Sequence, residues 1–171
     1  MKSDSERDII IYNLGKSGFP LTGINYSNRK KQLTTTELIL GVIRTERNAR
    51  LAEGMAIVVD NNPPNYASLV RTAIRDGLQN QTGQILEGAL QTIKKYKPFQ
   101  DSSILEKAIN ILFKHKLPED QILSRLDIPN ERECLSRNRS LEEIKWNVLG
   151  GVPYKNMEEQ YKVYQVAESK Y

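Results

Sequence analysis

Residues 79–96 read QNQTGQILEGALQTIKKY, and this run decides what kind of fold the chain makes. Ile85, Leu86, Ala89, Leu90 and Ile93 recur at helical spacing, which predicts a helix with one apolar stripe over 79–96. Two glycines interrupt good helix formers. Gly83 and Gly88 each cost about 1 kcal/mol of helix propensity relative to alanine. A cost of that size points to close approach by a neighbouring helix, and less often to a ligand. Lys97-Pro98 ends the run, because a residue before proline is pushed out of the helical region.

Helical signals continue on both sides. Thr34 and Glu37 form a capping box in front of the apolar LILGVI of 38–43. A second helix is expected over 48–59, with Leu51, Met55, Val58 and Val59 on one face, before Pro63-Pro64 stops it. A third is expected over 66–76, with Leu69, Val70, Ala73 and Ile74 inward and Gly77 just past its end. A fifth, over 102–116, repeats Ile104, Leu105, Ala108, Ile109, Leu112 and Phe113 at helical spacing. Residues 8–13, DIIIYN, fit either a short strand or a helical turn, and Gly15, Gly18, Pro20 and Gly23 make the following stretch a loop. Near the other end, 141–149 should be helical until Gly150-Gly151, and 157–167 forms a last amphipathic helix.

The class expected is therefore all-α. It is a compact multi-helix bundle forming a single helical domain over 1–171, with a possible sub-boundary near 97–103 and a loop-rich N-terminal segment over 1–33. The chain has 171 residues, enough for one well-formed core. Its net charge of +4 is compatible with nucleic acid or an acidic protein as partner without requiring either. A single cysteine, Cys134, excludes an intramolecular disulfide. The opening MKSDSERD lacks the apolar segment of a signal peptide, and the longest apolar runs are too short to span a bilayer. A cytoplasmic location with no membrane contact is the expectation by elimination.

Little in the chain points to catalysis. His115, the one histidine, stands between two lysines at a predicted helix end, where a cation suits the helix dipole. No His/Cys cluster exists for zinc, so no metal and no cofactor are expected. Gly15-Lys16-Ser17 resembles the end of a phosphate-binding loop, but the first glycine of that motif would fall at Ile10, and Gly18-Phe19-Pro20 follows where a helix should begin. Glu143-Ile144-Lys145 and Glu168-Ser169-Lys170 have the acid-x-lysine spacing of some nucleases. The first lies in a predicted helix and the second directly follows one, and a helix turns alternate side chains away from one another. Basic residues gather in Asn28-Arg29-Lys30-Lys31, in Arg44, Arg47 and Arg50, and in Lys94, Lys95 and Lys97.

The best place to look for nucleic-acid binding is KLPEDQILSRLDIPNERECLSRNR, residues 116–139. Its first half reads as the opening helix of a helix-turn-helix-like hairpin in the C-terminal third. Pro118 stands at the first helical position, Ile122, Leu123 and Leu126 face inward, and Asp127 takes the corner. The second half fits less well, because its inward positions fall on Glu133 and Ser136. Asn130, Arg132, Arg137, Asn138 and Arg139 are nevertheless capable base or phosphate ligands. An ordinary helical hairpin closing the domain stands ahead of the DNA reading for this stretch.

GLQNQTGQILEGAL over 77–90, followed by KWNVL over 145–149, resembles small helical proteins of toxin–antitoxin modules, in particular antitoxins that partner nucleotidyltransferase-type toxins. The chain departs from them in having no clear N-terminal winged helix. The resemblance implies a regulatory protein without enzymatic activity that binds a partner and acts, where DNA is involved, through the 118–139 hairpin. A second expectation is a helical interaction module that never touches nucleic acid. It would use Trp146, Tyr154, Tyr161 and Tyr164 as aromatic anchors for a protein partner or a second copy.

Overall fold

The computed structural model describes residues 5–21, 30–45 and 49–170. Asn28, Arg29, Arg47, Gly23 and the expected helix start at residue 48 lie outside them. The described chain is all-α, with a two-residue strand pair as its one departure. In order it forms α1 (Glu6–Lys16), α2 (Thr35–Arg44), α3 (Arg50–Glu53), α4 (Met55–Asn61), α5 (Tyr66–Arg75), α6 (Gln79–Tyr96) and α7 (Ser103–Lys114). Then follow β1 (Gln121–Ile122), α8 (Glu131–Ser136), α9 (Leu141–Trp146), β2 (Val148–Leu149) and α10 (Tyr154–Glu168).

α6 is the axis. Helices α2, α4, α5, α7, α9 and α10 and both short strands touch it. Over 79–89 its burial runs all the way round: beside the expected Ile85, Leu86 and Ala89, the polar Gln79, Asn80, Gln81, Thr82, Gln84 and Glu87 are also buried, while Gln91, Lys94 and Lys95 near its end are exposed. The two glycines explain how neighbours come so near. A Cβ on Gly83 would overlap the Trp146 indole, and one on Gly88 would meet the Tyr154 ring at 2.7 Å. The close approach is thus made by aromatic side chains of the C-terminal third. A single cluster of buried side chains runs from Ile10 to Tyr161. The turn between α6 and α7, at 97–102, joins two helices that pack against each other.

The N-terminal half follows its local signals with two corrections. The Thr34–Glu37 capping box is present, with Glu37 N donating to Thr34 Oγ1 and Thr34 N to Glu37 Oε2. Gly77 ends α5 with φ of +70°. The helix expected over 48–59 is broken at Gly54, at φ −82° and ψ −2°, into α3 and α4, and the Phe19 ring lies where a Gly54 side chain would be. DIIIYN belongs to α1, so the 1–33 segment is not loop throughout. Asn13 on α1 donates to Ile9 O and Lys31 O and accepts from Leu33 N, which ties residues 31–33 down onto the helix. Lys16 and Ser17 sit at the end of α1, away from any free helix amides, so no phosphate cradle forms there.

The C-terminal third departs most. No helix forms over 118–126. β1 pairs parallel with β2, Gln121 opposite Val148 and Ile122 opposite Leu149, through Gln121 N to Asn147 O at 2.8 Å and Leu123 N to Leu149 O at 2.9 Å. Buried polar side chains of α6 hold the strand in place. Asn80 accepts from Leu117 N at 2.8 Å and donates to Leu117 O at 3.1 Å. The helix expected over 141–149 stops at Trp146, where Asn147 turns left-handed at φ 52° and frees Val148 and Leu149 to pair. Gly150, at φ +62°, lies so close to Ser124 O that no side chain fits.

Candidate functional site

With the 118–126 helix absent, α8 is not the second helix of a helix-turn-helix, and none of its residues is buried against a first. The proposed nucleic-acid ligands have other occupations. Asn130 takes a left-handed conformation at φ 60° where α8 begins. Arg132 donates to Asp120 O at 3.1 Å, and Arg137 pairs with Glu133 one turn away at 2.7 Å. Arg139 is the least exposed of them. It pairs with Asp120 at 2.8 Å and donates to the carbonyls of Glu143 and Val148, closing the corner beside β2. Asn138 is exposed. These residues do not converge on one surface of free cations.

The expected aromatic anchors require a correction too. Trp146 and Tyr161 have no solvent exposure and Tyr154 has 9%. They anchor this chain to itself, which removes them as contacts for a partner; Tyr164 is half-buried and its hydroxyl is bonded to Asn61. Two buried carboxylates organise them. Glu87 on α6 accepts from Trp146 Nε1 at 2.8 Å and Tyr154 OH at 3.1 Å, and it pairs with Lys145. Neighbouring Gln84 makes a two-way bond with the backbone of Val152, so α6 clamps α9 and the start of α10 together. Burial, with the Glu87 charge beside it, pushes the Tyr154 hydroxyl far above its usual range.

Asp60, at the end of α4, forms the other knot. It accepts from Lys97 Nζ at 2.6 Å, Tyr161 OH at 2.8 Å and Gln100 Nε2 at 3.1 Å. Burial opposes its ionisation, but the hydrogen bonds from Lys97, Tyr161 and Gln100 outweigh it and hold the carboxyl below its ordinary value. A folded-state value below the unfolded one means this stabilisation is complete above the ordinary value near 3.8 and is lost as pH falls through the folded value. Tyr161→Phe is therefore expected to cost about 1 kcal/mol at pH 7, with the deficit shrinking in urea titrations run below about pH 4. A deficit unchanged in acid would show that the ionised Asp60 is not what Tyr161 holds.

What remains open is a groove between α5 and α7. Leu105, Ala108, Ile109 and Leu112 turn α7 inward, yet Ile104 stands 66% exposed on its other flank. Ile104, Ala108 and Ile111 follow one another at i, i+4 and i+7 and form the α5-side edge of that apolar face. They face Tyr66, Ala67 and Val70 of α5 across a hollow of about 470 Å³. A smaller hollow of about 190 Å³ shares Tyr66 and Ile104 and carries the furrow on toward Gln100 and Asp101. Phe99, fully exposed, lies in the turn beside that end. Arg71 on α5 and Lys107 on α7 border the groove, and neither has an ion pair among the described residues. Burial and the nearby Asp60 charge push the Tyr66 hydroxyl up to about 12, so it stays a neutral donor here.

The groove residues were not among the sites expected from sequence. Their signal was the width of the α7 stripe: with Phe113 included it covers about 200° of the helical wheel, more than one buried face needs. A larger hollow of about 950 Å³ lies among α1, α2 and α5. Its helix starts are already capped by Thr34 and Asn65, and its Arg44 and Arg75 both pair with Asp76. His115 Nδ1 lies 2.9 Å from Ile111 O, a helix-end contact. Among the described residues no three His, Cys, Asp or Glu side chains gather as a metal site, and no helix is long and apolar enough to cross a membrane.

The fold and groove thus define a helical protein with an unfilled apolar furrow and a basic rim. Comparison with known protein families, characterised proteins and solved structures finds no match.

Proposed function

We propose that this protein is a non-catalytic binding module that receives a helical segment of a protein partner in the α5–α7 groove. The observation that carries this reading is the open furrow between α5 and α7, in which Ile104 stands 66% exposed beside Ala108, Ile111 and Val70. Apolar furrows between two helices are how many modules take an amphipathic helix. The non-catalytic part is supported by the use made of three of the displaced ionisable groups: Asp60, Tyr154 and Tyr161 are spent on packing contacts. An antitoxin-like role is compatible with this through partner binding alone. Operator binding is left out of it because Arg137 and Arg139 are paired within the chain and Arg132 is bonded to Asp120 O.

Photocrosslinking tests the groove directly. Lys107→p-benzoylphenylalanine is expected to give one discrete adduct in cells, mapped by mass spectrometry to an apolar helical segment, and Lys155→p-benzoylphenylalanine on α10 none. Adding Ile104→Glu should remove the adduct. Equal adducts at both positions, or none at 107, would refute the groove as the docking face.

A further inference from the structure

We infer that the partner segment is an amphipathic helix whose apolar stripe carries acidic residues on both flanks. This rests on the groove being the docking face and adds the chemistry of what docks. The floor and walls are apolar: Val70 and Ala108 are buried at the bottom, and Tyr66, Ile104 and Ile111 stand along the sides. Such a channel selects for apolar side chains at i, i+3 or i+4 and i+7, since only one face of a guest helix can enter. From Ile104 to Ile111 the host helix rises about 10 Å, enough to seat two turns of a guest.

Charge supplies the second half of the recognition. Around each helix axis at 100° per residue, Arg71 falls on the outer flank of the α5 face and Lys107 on the outer flank of the α7 face. The cations therefore stand on opposite rims. Lys114 follows Lys107 one heptad later on the same rim and is likewise unpaired among the described residues. The acid that lines the furrow is Asp101, at its far end, where it accepts from Ser103 N at 2.9 Å, and Asp60, whose charge reaches Tyr66, is paired with Lys97. A guest with acids on both flanks meets opposite charge along both rims, and one with lysines meets like charge.

The same arrangement argues against a second copy of this chain seated face to face. A twofold contact would bring the basic rims of two copies together, and the one acid that lines the furrow, Asp101, lies at its far end and not between them. A distinct acidic helix carries no such cost.

Two synthetic helical peptides of about sixteen residues decide the matter, with identical leucine stripes flanked by glutamate in one and lysine in the other. Binding to the full chain is read by fluorescence anisotropy. The glutamate peptide is expected to bind roughly tenfold tighter than the lysine peptide at low salt, with the gap narrowing as salt rises. The double variant Arg71→Glu with Lys107→Glu should reverse the preference. Ile104→Glu should abolish binding of both, and because Ile104 is 66% exposed its circular dichroism and Tm should stay at the wild-type values. Equal binding of both peptides, still lost on Ile104→Glu, would overturn the acidic partner and leave the groove as a docking face. No binding of either to the folded chain would overturn the groove reading itself. Concentration-dependent dimerisation abolished by Ile104→Glu would overturn the inference in favour of a second copy.

Discussion

Trp146→Ala is expected to lower stability by about 3–5 kcal/mol, the range for removing a large buried aromatic side chain. Single domains of ordinary size are stable by roughly 5–15 kcal/mol, so this one change takes a large share and leaves a population prone to unfold near physiological temperature. Three losses combine. The indole fills the notch at Gly83, and truncation empties it. Its Nε1–H bond to Glu87 disappears, leaving a buried carboxylate with one donor fewer. The Phe113 ring, set edge-on to the indole at 5.3 Å, loses its support. Urea denaturation followed by far-ultraviolet circular dichroism measures the effect. A cost under about 1 kcal/mol would mean that α9 is not part of the cooperative unit.

Glu87→Ala is the second large effect, expected at about 2–4 kcal/mol. Bonds to a charged group contribute more than neutral ones, and a buried donor left without an acceptor pays its desolvation cost. The Trp146 N–H would be stranded in that way. Tyr154 keeps a bond to Gln84 O at 2.8 Å, which limits the loss there. Glu87→Gln should recover part of the deficit, since an amide oxygen can still accept from Trp146. A full-sized loss in Glu87→Gln would place the weight on the Lys145 ion pair instead. Because Lys145 is about half exposed, salt would then narrow the gap between wild type and variant.

These two residues also show why local signals carried the reading of the chain only so far. α6 was legible because its apolar residues recur on a helical period, and its glycines announced close neighbours. The neighbours themselves were not legible, since Trp146 and Tyr154 lie 63 and 66 residues from the glycines they fill. Read locally, those aromatics in a polar C-terminal segment look like surface anchors. Residues 118–126 failed for a related reason. Pro118, Glu119 and Asp120 followed by Ile122, Leu123 and Leu126 are sound helix signals. Pairing with Val148–Leu149 and the grip of Asn80 on Leu117 offer that backbone a competing set of bonds. DIIIYN stayed ambiguous because three successive isoleucines have no period, and α1 buries Ile10, Ile11, Tyr12, Asn13 and Leu14 together.

The candidate groove was half legible. The over-wide apolar stripe of α7 was present in the residues, and so were Arg71, Lys107 and Lys114. Which side of the stripe would be covered depends on where α5 and α6 lie against α7.

By itself the sequence determined the all-α class, the caps at Thr34 and Gly77, the central helix and the absence of an obvious catalytic motif, because each depends on residues within a few positions of one another. Only the tertiary structure decided that the C-terminal aromatics face inward, that the 118–139 arginines are spent on Asp120, Glu133 and nearby carbonyls, and that a furrow stays open between α5 and α7. Burial and pairing are properties of surfaces brought together from distant parts of the chain, and no local period encodes which surface meets which.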